Sequence, residues 1–217
     1  MKLNRLERWY VNSPVRRLAQ HLIIQWFKGT VALKSGSTIL EIGCGGGVGA
    51  KLIQEAYQPN RLYLLDLDLQ MIARARRRLN GNKGKDVSFC VGDAAKLPFS
   101  DSSLDAVFGF GFLHHVPVWR DGLAEVTRVL KHGGLYFMEE YYPSLYQNLV
   151  TRHILVHPDQ DRFNSQDLFQ AFQNANLTLT HTFELKRMGI LGVGAKADSQ
   201  SISCRRDQNP ACKVVFD

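Results

Sequence analysis

The 217-residue chain has no run approaching the ~20 consecutive apolar residues that a membrane-spanning helix needs. Met1 to Tyr10 is charged and lacks the apolar stretch of a secretory signal, so a cytoplasmic protein is expected. Cysteine is scarce, with four residues, and their placement excludes a disulfide framework. Cys44 sits in a glycine loop and Cys90 in an apolar run, where reduced packing thiols are expected. Cys204 and Cys212 lie in a polar tail, where they either pair or stay free. No internal repeat is present, which excludes solenoids and propellers. Acidic residues are in deficit: 20 Asp and Glu against 27 Lys and Arg leave a net charge of +7.

What is present suits one globular domain: 45% of residues are hydrophobic and 22% charged, enough to bury a core. The excess positive charge is clustered. Arg5, Arg8, Arg16 and Arg17 lie near the start, and Arg74, Arg76, Arg77, Arg78, Lys83 and Lys85 in or after one predicted helix. Such patches attract phosphates, anionic lipid or an acidic substrate. The plainer alternative is a solvated helix face.

Ser13-Pro14 forms a helix start, a capping serine followed by proline at the first helical position. Val15, Leu18, Ala19, Leu22, Ile23, Trp26 and Phe27 follow at helical spacing and predict one inward apolar face. Ser37 to Ile42 then reads as a buried strand. Beyond it the chain alternates: helix from Val48 to Ala56, strand Arg61 to Asp66, a helix capped by Asp68, strand Val87 to Val91, strand Leu104 to Phe110, helix Trp119 to Leu130. Gly133-Gly134 punctuates before the strand Leu135 to Glu139. Ser165 is placed to cap a helix, and Leu177 to Leu185 with Met188 to Ala195 form an antiparallel edge. The alternation predicts a doubly wound α/β fold: a mostly parallel seven-stranded sheet, helices on both faces, an antiparallel edge strand. We expect a single domain over 1–196, with 1–30 as a helical cap and 141–164 as an active-site cover, followed by a disordered tail over 197–217.

Ligands in such sheets bind beyond the carboxyl ends of the strands. The first signal there is Ile39-Leu40-Glu41-Ile42-Gly43-Cys44-Gly45-Gly46-Gly47, a strand running through glycines into a helix. Glycines let a ligand approach the backbone closely, and the helix start offers unpaired N–H groups. By itself Gly45-x-Gly47-x-x-Ala50 also satisfies a relaxed dinucleotide fingerprint. Glu41 discriminates: its carboxylate repels a diphosphate and attracts a ligand with a cationic amino or sulfonium end. The bland reading is a strand-end glutamate satisfied by nearby backbone N–H groups. Asp66, ending the second strand, stands where an acid reaches ribose hydroxyls, and two acceptor oxygens suit a vicinal diol. Asp93, in Gly92-Asp93-Ala94-Ala95-Lys96-Leu97-Pro98-Phe99, either accepts from an adenine amine or only caps a turn.

Jointly these blocks resemble the class I S-adenosylmethionine-dependent methyltransferases, and most nearly the small-molecule enzymes that include ubiquinone/menaquinone biosynthesis C-methyltransferases. Glu41 to Gly47 resembles their first motif, Asp66-Leu67-Asp68-Leu69-Gln70-Met71 the acidic strand end, and Gly92-Asp93-Ala94 with Leu97-Pro98-Phe99 the adenine loop. Ser103 to Val107 through Leu113-His114-His115-Val116 resembles the fourth strand and its exit. Arg128-Val129-Leu130-Lys131-His132-Gly133-Gly134 resembles the following turn, with His132 where proline is usual. The resemblance covers about 37–140. It implies that Glu41, Gly43, Cys44, Gly45 and Gly47 contact the methionine part of S-adenosylmethionine, and that Asp66 holds the ribose. It also implies that Leu67 and Met71 flank the adenine, that Asp93 and Ala94 read its edge, and that the Gly109 and Phe110 backbone faces the amino-acid end.

On the acceptor side, His114 and His115 are candidates for a general base or for packing under the cover. Tyr10, Tyr141 and Tyr142 are candidates to line the substrate pocket, and Trp9 to close over the cofactor. Strand alternation turns one of Glu139 and Glu140 into the site and the other away. His153 and His157, with Asp159 and Asp161, raise a metal site, but Pro158 breaks the helix that would align them, so no metal is expected. The expected partner is a small, flat or lipophilic molecule, with peripheral membrane contact as a further reading; the oligomeric state is open. Three alternatives stay in view. A nicotinamide-dependent oxidoreductase explains the glycines and Asp66 but not Glu41. A nucleic-acid methyltransferase suits the charge but lacks the Asn/Asp-Pro-Pro-aromatic run, whose place is taken by Gly109-Phe110-Gly111-Phe112. The third is a non-catalytic S-adenosylmethionine-binding protein.

Overall fold

A computed structural model describes residues 4, 8, 9, 11, 13–79, 86–146 and 161–197. Helix α1 spans Pro14–Thr30, followed by β1 (Thr38–Ile42), α2 (Val48–Tyr57), β2 (Arg61–Asp66), α3 (Leu69–Leu79), β3 (Asp86–Val91) and β4 (Leu104–Phe110). A 3-10 turn at Leu113–His115 leads into α4 (Trp119–Val129), β5 (Leu130–Tyr141), the short α5 (Pro143–Tyr146), α6 (Ser165–Asn174), β6 (Leu177–Leu185) and β7 (Gly189–Lys196).

The seven strands form one sheet in the order β3-β2-β1-β4-β5-β7-β6. Pairing is parallel from β3 through β5, and β7 runs against both of its neighbours. The antiparallel hairpin therefore closes one edge, with β7 inserted inside β6. Consecutive residues of the central strands feed opposite layers. Ile39, Ala106, Phe108 and Phe137 pack with α1, α2 and α3, whereas Leu40, Val107, Tyr136 and Met138 pack with α4 and α6. On the first side Phe108 and Phe137 stack at 4.4 Å, and Phe27 of α1 meets the Phe137 ring edge-on at 5.3 Å. Strand order reverses between β1 and β4, which opens a crevice at their carboxyl ends.

Several sequence expectations need correction. α1 is capped as expected, with Ser13 Oγ accepting from Arg16 N at 3.1 Å and Pro14 at the first position. Its inward face is nevertheless Arg16, Gln20, Ile24 and Phe27, while Val15, Leu18 and Leu22 are 70%, 63% and 61% exposed. Arg16 is drawn inward by a buried carboxylate, and that rotates the apolar stripe outward. Gly133-Gly134 does not precede β5 but lies within it, where a bulge beside Leu104 and Ala106 takes up the extra length. α6 is capped by Asn164 rather than Ser165, in a reciprocal pair with Asp167. The expected disordered tail, with Cys204 and Cys212, lies outside the described residues beyond Ala197.

Candidate active site

The glycine loop is shaped by backbone conformation: Gly43, Gly45 and Gly47 all have positive φ, and Gly47 packs on Ala75 of α3 where a Cβ would meet it at 3.0 Å. Asp66 pins the loop from the neighbouring strand. Its Oδ2 accepts from Gly45 N and its Oδ1 from Asp68 N, both at 2.8 Å. Burial raises the Asp66 pKa above the usual carboxylate value, and the two N–H donors pull it part of the way back. Asp68 caps α3 as expected, its Oδ1 accepting from Gln70 N at 2.9 Å, and its other oxygen lies 3.3 Å from Arg8.

Glu41 lies directly under α2, so close that a Cβ on Gly49 would stand 2.2 Å from its Oε1. Burial first, then the charge of Asp66, hold its pKa well above the ordinary glutamate value; Arg16 and an N–H from Ala50 act the other way. Ala50 sits in the first turn of α2, so one part of the bland reading is correct: Glu41 serves a backbone donor that the helix leaves open. Its Oε2, however, is buried without a hydrogen-bond partner among the described residues.

The third loop is fixed by α4, which packs in the same layer. Arg128 on α4 donates to the carbonyls of Leu97 and Phe99 at 3.0 and 2.8 Å, and Glu125 accepts from Leu97 N at 2.6 Å. Two sequence blocks 30 residues apart are thus one structural unit. Asp93 caps its own turn through Ala95 N at 2.9 Å.

These loops surround a cavity of about 320 Å³ at the β1–β4 crevice. Gly43, Cys44, Gly45, Asp66, Leu67, Met71, Asp93, Ala94 and Phe110 line it, as does His115. Gly47 and Gly109 stand behind the lining, where Gly47 caps α2 and Gly109 admits the Phe112 ring, which a Cβ would approach to 2.5 Å. Burial raises the Cys44 thiol pKa well above its usual value, which leaves it neutral.

The sequence reading missed Arg16 and Gln20 of α1, which line the same cavity with Val11, Phe112, Val116 and Pro117. Arg16 bridges to the end of β5: Glu139 Oε1 and Oε2 accept from its two terminal nitrogens at 2.7 and 2.5 Å, and Tyr141 Oη accepts at 2.9 Å. Gln20 Oε1 is a second buried acceptor without a partner among the described residues. Arg16 and Gln20 share a face at i and i+4, but so do Arg17 and His21, so spacing alone does not single them out.

The two histidines separate. His114 is buried behind the cavity with Nδ1 2.8 Å from Glu140 Oε2, and Glu140 Oε1 accepts from Phe112 N and Leu113 N at 3.2 and 2.9 Å. Glu139 and Glu140 are therefore both buried and both engaged, on opposite partners. Tyr141 and Tyr142 also stand outside the lining: Tyr141 belongs to the Arg16 network and Tyr142 donates to Glu184 at 2.9 Å. Trp9 is 69% exposed and does not cover the cavity. Tyr10, His153, His157 and Asp159 lie outside the described residues, and Asp161 pairs with Arg120 at 2.5 Å.

A seven-stranded sheet of this order, with an acid-rich crevice and a glycine loop at its switch point, defines a doubly wound α/β domain built to hold a ligand there. Comparison with known proteins agrees. Residues 40–138 match the family model described as a methyltransferase domain. The chain is 36% identical over 122 residues to a fatty-acid O-methyltransferase from Mycolicibacterium smegmatis, covering 55% of this chain and 43% of that protein. It is 37% identical over 111 residues to a phthiotriol/phenolphthiotriol dimycocerosates methyltransferase from Mycobacterium tuberculosis, covering 50% and 39%. A sterol 24-C-methyltransferase from Schizosaccharomyces pombe is 31% identical over 57% of this chain and 33% of its own length. The aligned region thus spans less than half the length of these relatives. Among solved structures, an S-adenosylmethionine-dependent methyltransferase from Aquifex aeolicus superposes with a TM-score of 0.72 at 17% identity, over 90% of this chain and 100% of that one. Residues 40–138 thus resemble a methyltransferase domain, and the fold is shared with the solved S-adenosylmethionine-dependent methyltransferase from Aquifex aeolicus.

Proposed function

We propose that this protein transfers a methyl group from S-adenosylmethionine to a lipophilic small-molecule acceptor. The division of the cavity carries this reading. Carboxylates and the glycine loop occupy one part, while Val11, Phe110, Phe112, Val116 and Pro117 make the other apolar, with His115 among them. The named relatives include methyltransferases of a fatty acid and a sterol, which supports an apolar acceptor.

The donor set fits the cofactor. Gln20 Oε1, in the cavity wall, has no hydrogen-bond partner among the described residues and suits a cationic amino group, while Glu41 is buried behind the lining and would act on that group through its charge. Arg16, at the same wall, suits the neighbouring carboxylate, and Phe110 closes this end. Asp66 keeps lone pairs for ribose hydroxyls, Leu67 and Met71 flank the adenine, and Asp93 with Ala94 N–H reads its edge. S-adenosylmethionine supplies a methyl already activated on a sulfonium, so the protein contributes alignment and exclusion of water. For a hydroxyl acceptor His115 takes the proton; a carboxylate needs no base. His114, fixed by Glu140, positions the turn that carries His115. In this reading 1–196 acts as a single domain in the cytoplasm, beside a bilayer that holds the acceptor.

Calorimetric titration with S-adenosylmethionine and its demethylated product tests the cofactor, on wild type and Asp66→Asn. Binding that the variant weakens at least tenfold is expected, since a charge-assisted diol contact is lost and the glycine loop is loosened. Transfer of labelled methyl to fatty acids, long-chain alcohols, quinols or sterols then identifies the acceptor. Folded wild-type protein that binds neither ligand overturns the proposal, and binding without transfer to any of these supports a non-catalytic binder.

A further inference from the structure

The outward face of α1 combines two features that a solvated helix does not need. Val15, Leu18 and Leu22 recur at i, i+3 and i+7 and form one exposed apolar stripe. Trp9, just before the helix, is exposed as well. Beside the stripe, at i, i+4 and i+11, run Arg17, His21 and Lys28, and none of the 17 residues of α1 is acidic. The basic flank continues into a surface groove of about 220 Å³ lined by Arg17, Lys51 and Arg78 with Val48, Leu52 and Glu55. Glu55 is the single acid among the described lining residues, and it lies 4.0 Å from Lys51. Arg78 also donates to the Gly46 carbonyl of the cofactor loop, and burial together with the charge of Arg17 lowers its pKa. The groove has more positive charge than its own residues balance.

We propose that this face docks on an anionic lipid bilayer, with Trp9, Val15, Leu18 and Leu22 at the acyl boundary and Arg17, Lys51 and Arg78 against lipid phosphates. An in-plane helix of apolar stripe and basic flank gains from both burial and charge. Charge selects this occupant over a second copy of the chain. Two α1 faces brought together would oppose Arg17, His21 and Lys28 with their like, whereas a net charge of +7 favours an anionic surface. The inner side of the same helix places Arg16 and Gln20 in the cavity wall, so docking holds that wall one helix away from the lipid. The surface stands on its own residues; its purpose, delivery of an apolar acceptor, rests on the function proposed above.

The test is flotation of the full chain with phosphatidylcholine vesicles, with and without phosphatidylglycerol. Binding only to the anionic vesicles, weakened by added salt, is expected. Val15→Ser/Leu18→Ser/Leu22→Ser should abolish it, and Arg17→Gln or Lys51→Gln should each weaken it about fivefold. These side chains lie outside the cavity lining, so calorimetric cofactor affinity in solution should stay unchanged, which also confirms that the variants fold. Absence of vesicle binding, or binding indifferent to all of these substitutions, overturns the proposal. So does a dimer in solution that Leu18→Arg dissociates, since α1 would then be a self-interface. Vesicle binding by a protein that binds no S-adenosylmethionine would leave the docking surface standing and sink the methyltransferase reading.

Discussion

The two walls of the cavity are built on different length scales. At the wall of β1, β2 and β3 the carboxylates serve backbone N–H groups, most of them local: Asp66 holds Asp68 two residues on and Gly45 across 21, Asp68 caps Gln70, and Asp93 caps Ala95. The opposite wall depends on pairs far apart in the chain. Arg16 meets Glu139 across 123 residues, and His114 meets Glu140 across 26. Local capping geometry is tolerant because water or a neighbouring N–H can replace a lost partner. A buried ion pair is not, since removing one member strands the other charge. The two walls should therefore fail differently.

The largest effect is expected at the long-range wall. Arg16→Ala leaves Glu139 buried without its cation and should cost about 3–5 kcal/mol in urea unfolding. Adding Glu139→Gln to that variant should recover a substantial part. Additive losses in the double variant would show that the pair is not coupled and would remove the distinction between the walls. At the loop wall, Gly49→Ala drives a methyl into Glu41 Oε1 and should cost about 1–3 kcal/mol in thermal unfolding, with loss of cofactor affinity. An unperturbed Gly49→Ala protein would mean that Glu41 is free to move.

The smallest effect sharpens the role of Glu41. Its folded-state pKa is raised above the ordinary 4.5. As pH climbs past that value, the unfolded chain releases the proton first while the folded protein keeps it, so ligand-free stability falls as pH rises. Glu41→Gln should flatten this slope in denaturant melts across a pH series. Asp66 is shifted in the same direction, so part of the slope should remain. An unchanged slope would show that Glu41 is not the group responsible.

Most of the local wall was legible in advance. Its residues occupy consecutive motif blocks at strand ends, where alternation alone fixes which loops converge. What escaped was which side of each loop a residue takes. Gly47 and Gly109 were read as contacts and instead make room for Ala75 and Phe112. His114 and His115 are adjacent in sequence, yet one faces the cavity and its neighbour is locked behind it by Glu140.

Sequence by itself determined the strand–helix alternation, the doubly wound sheet, the glycine loop and the three strand-end acids, because hydrophobic period and turn chemistry act over a few residues. Only tertiary structure decided which face of α1 turns inward. Apolar spacing favoured Val15, Leu18 and Leu22, but the face that turns inward carries Arg16 to the buried Glu139 at the end of β5 and still buries Ile24 and Phe27, so no charge is stranded. That one rotation places Arg16 and Gln20 in the cavity and leaves an apolar stripe facing outward.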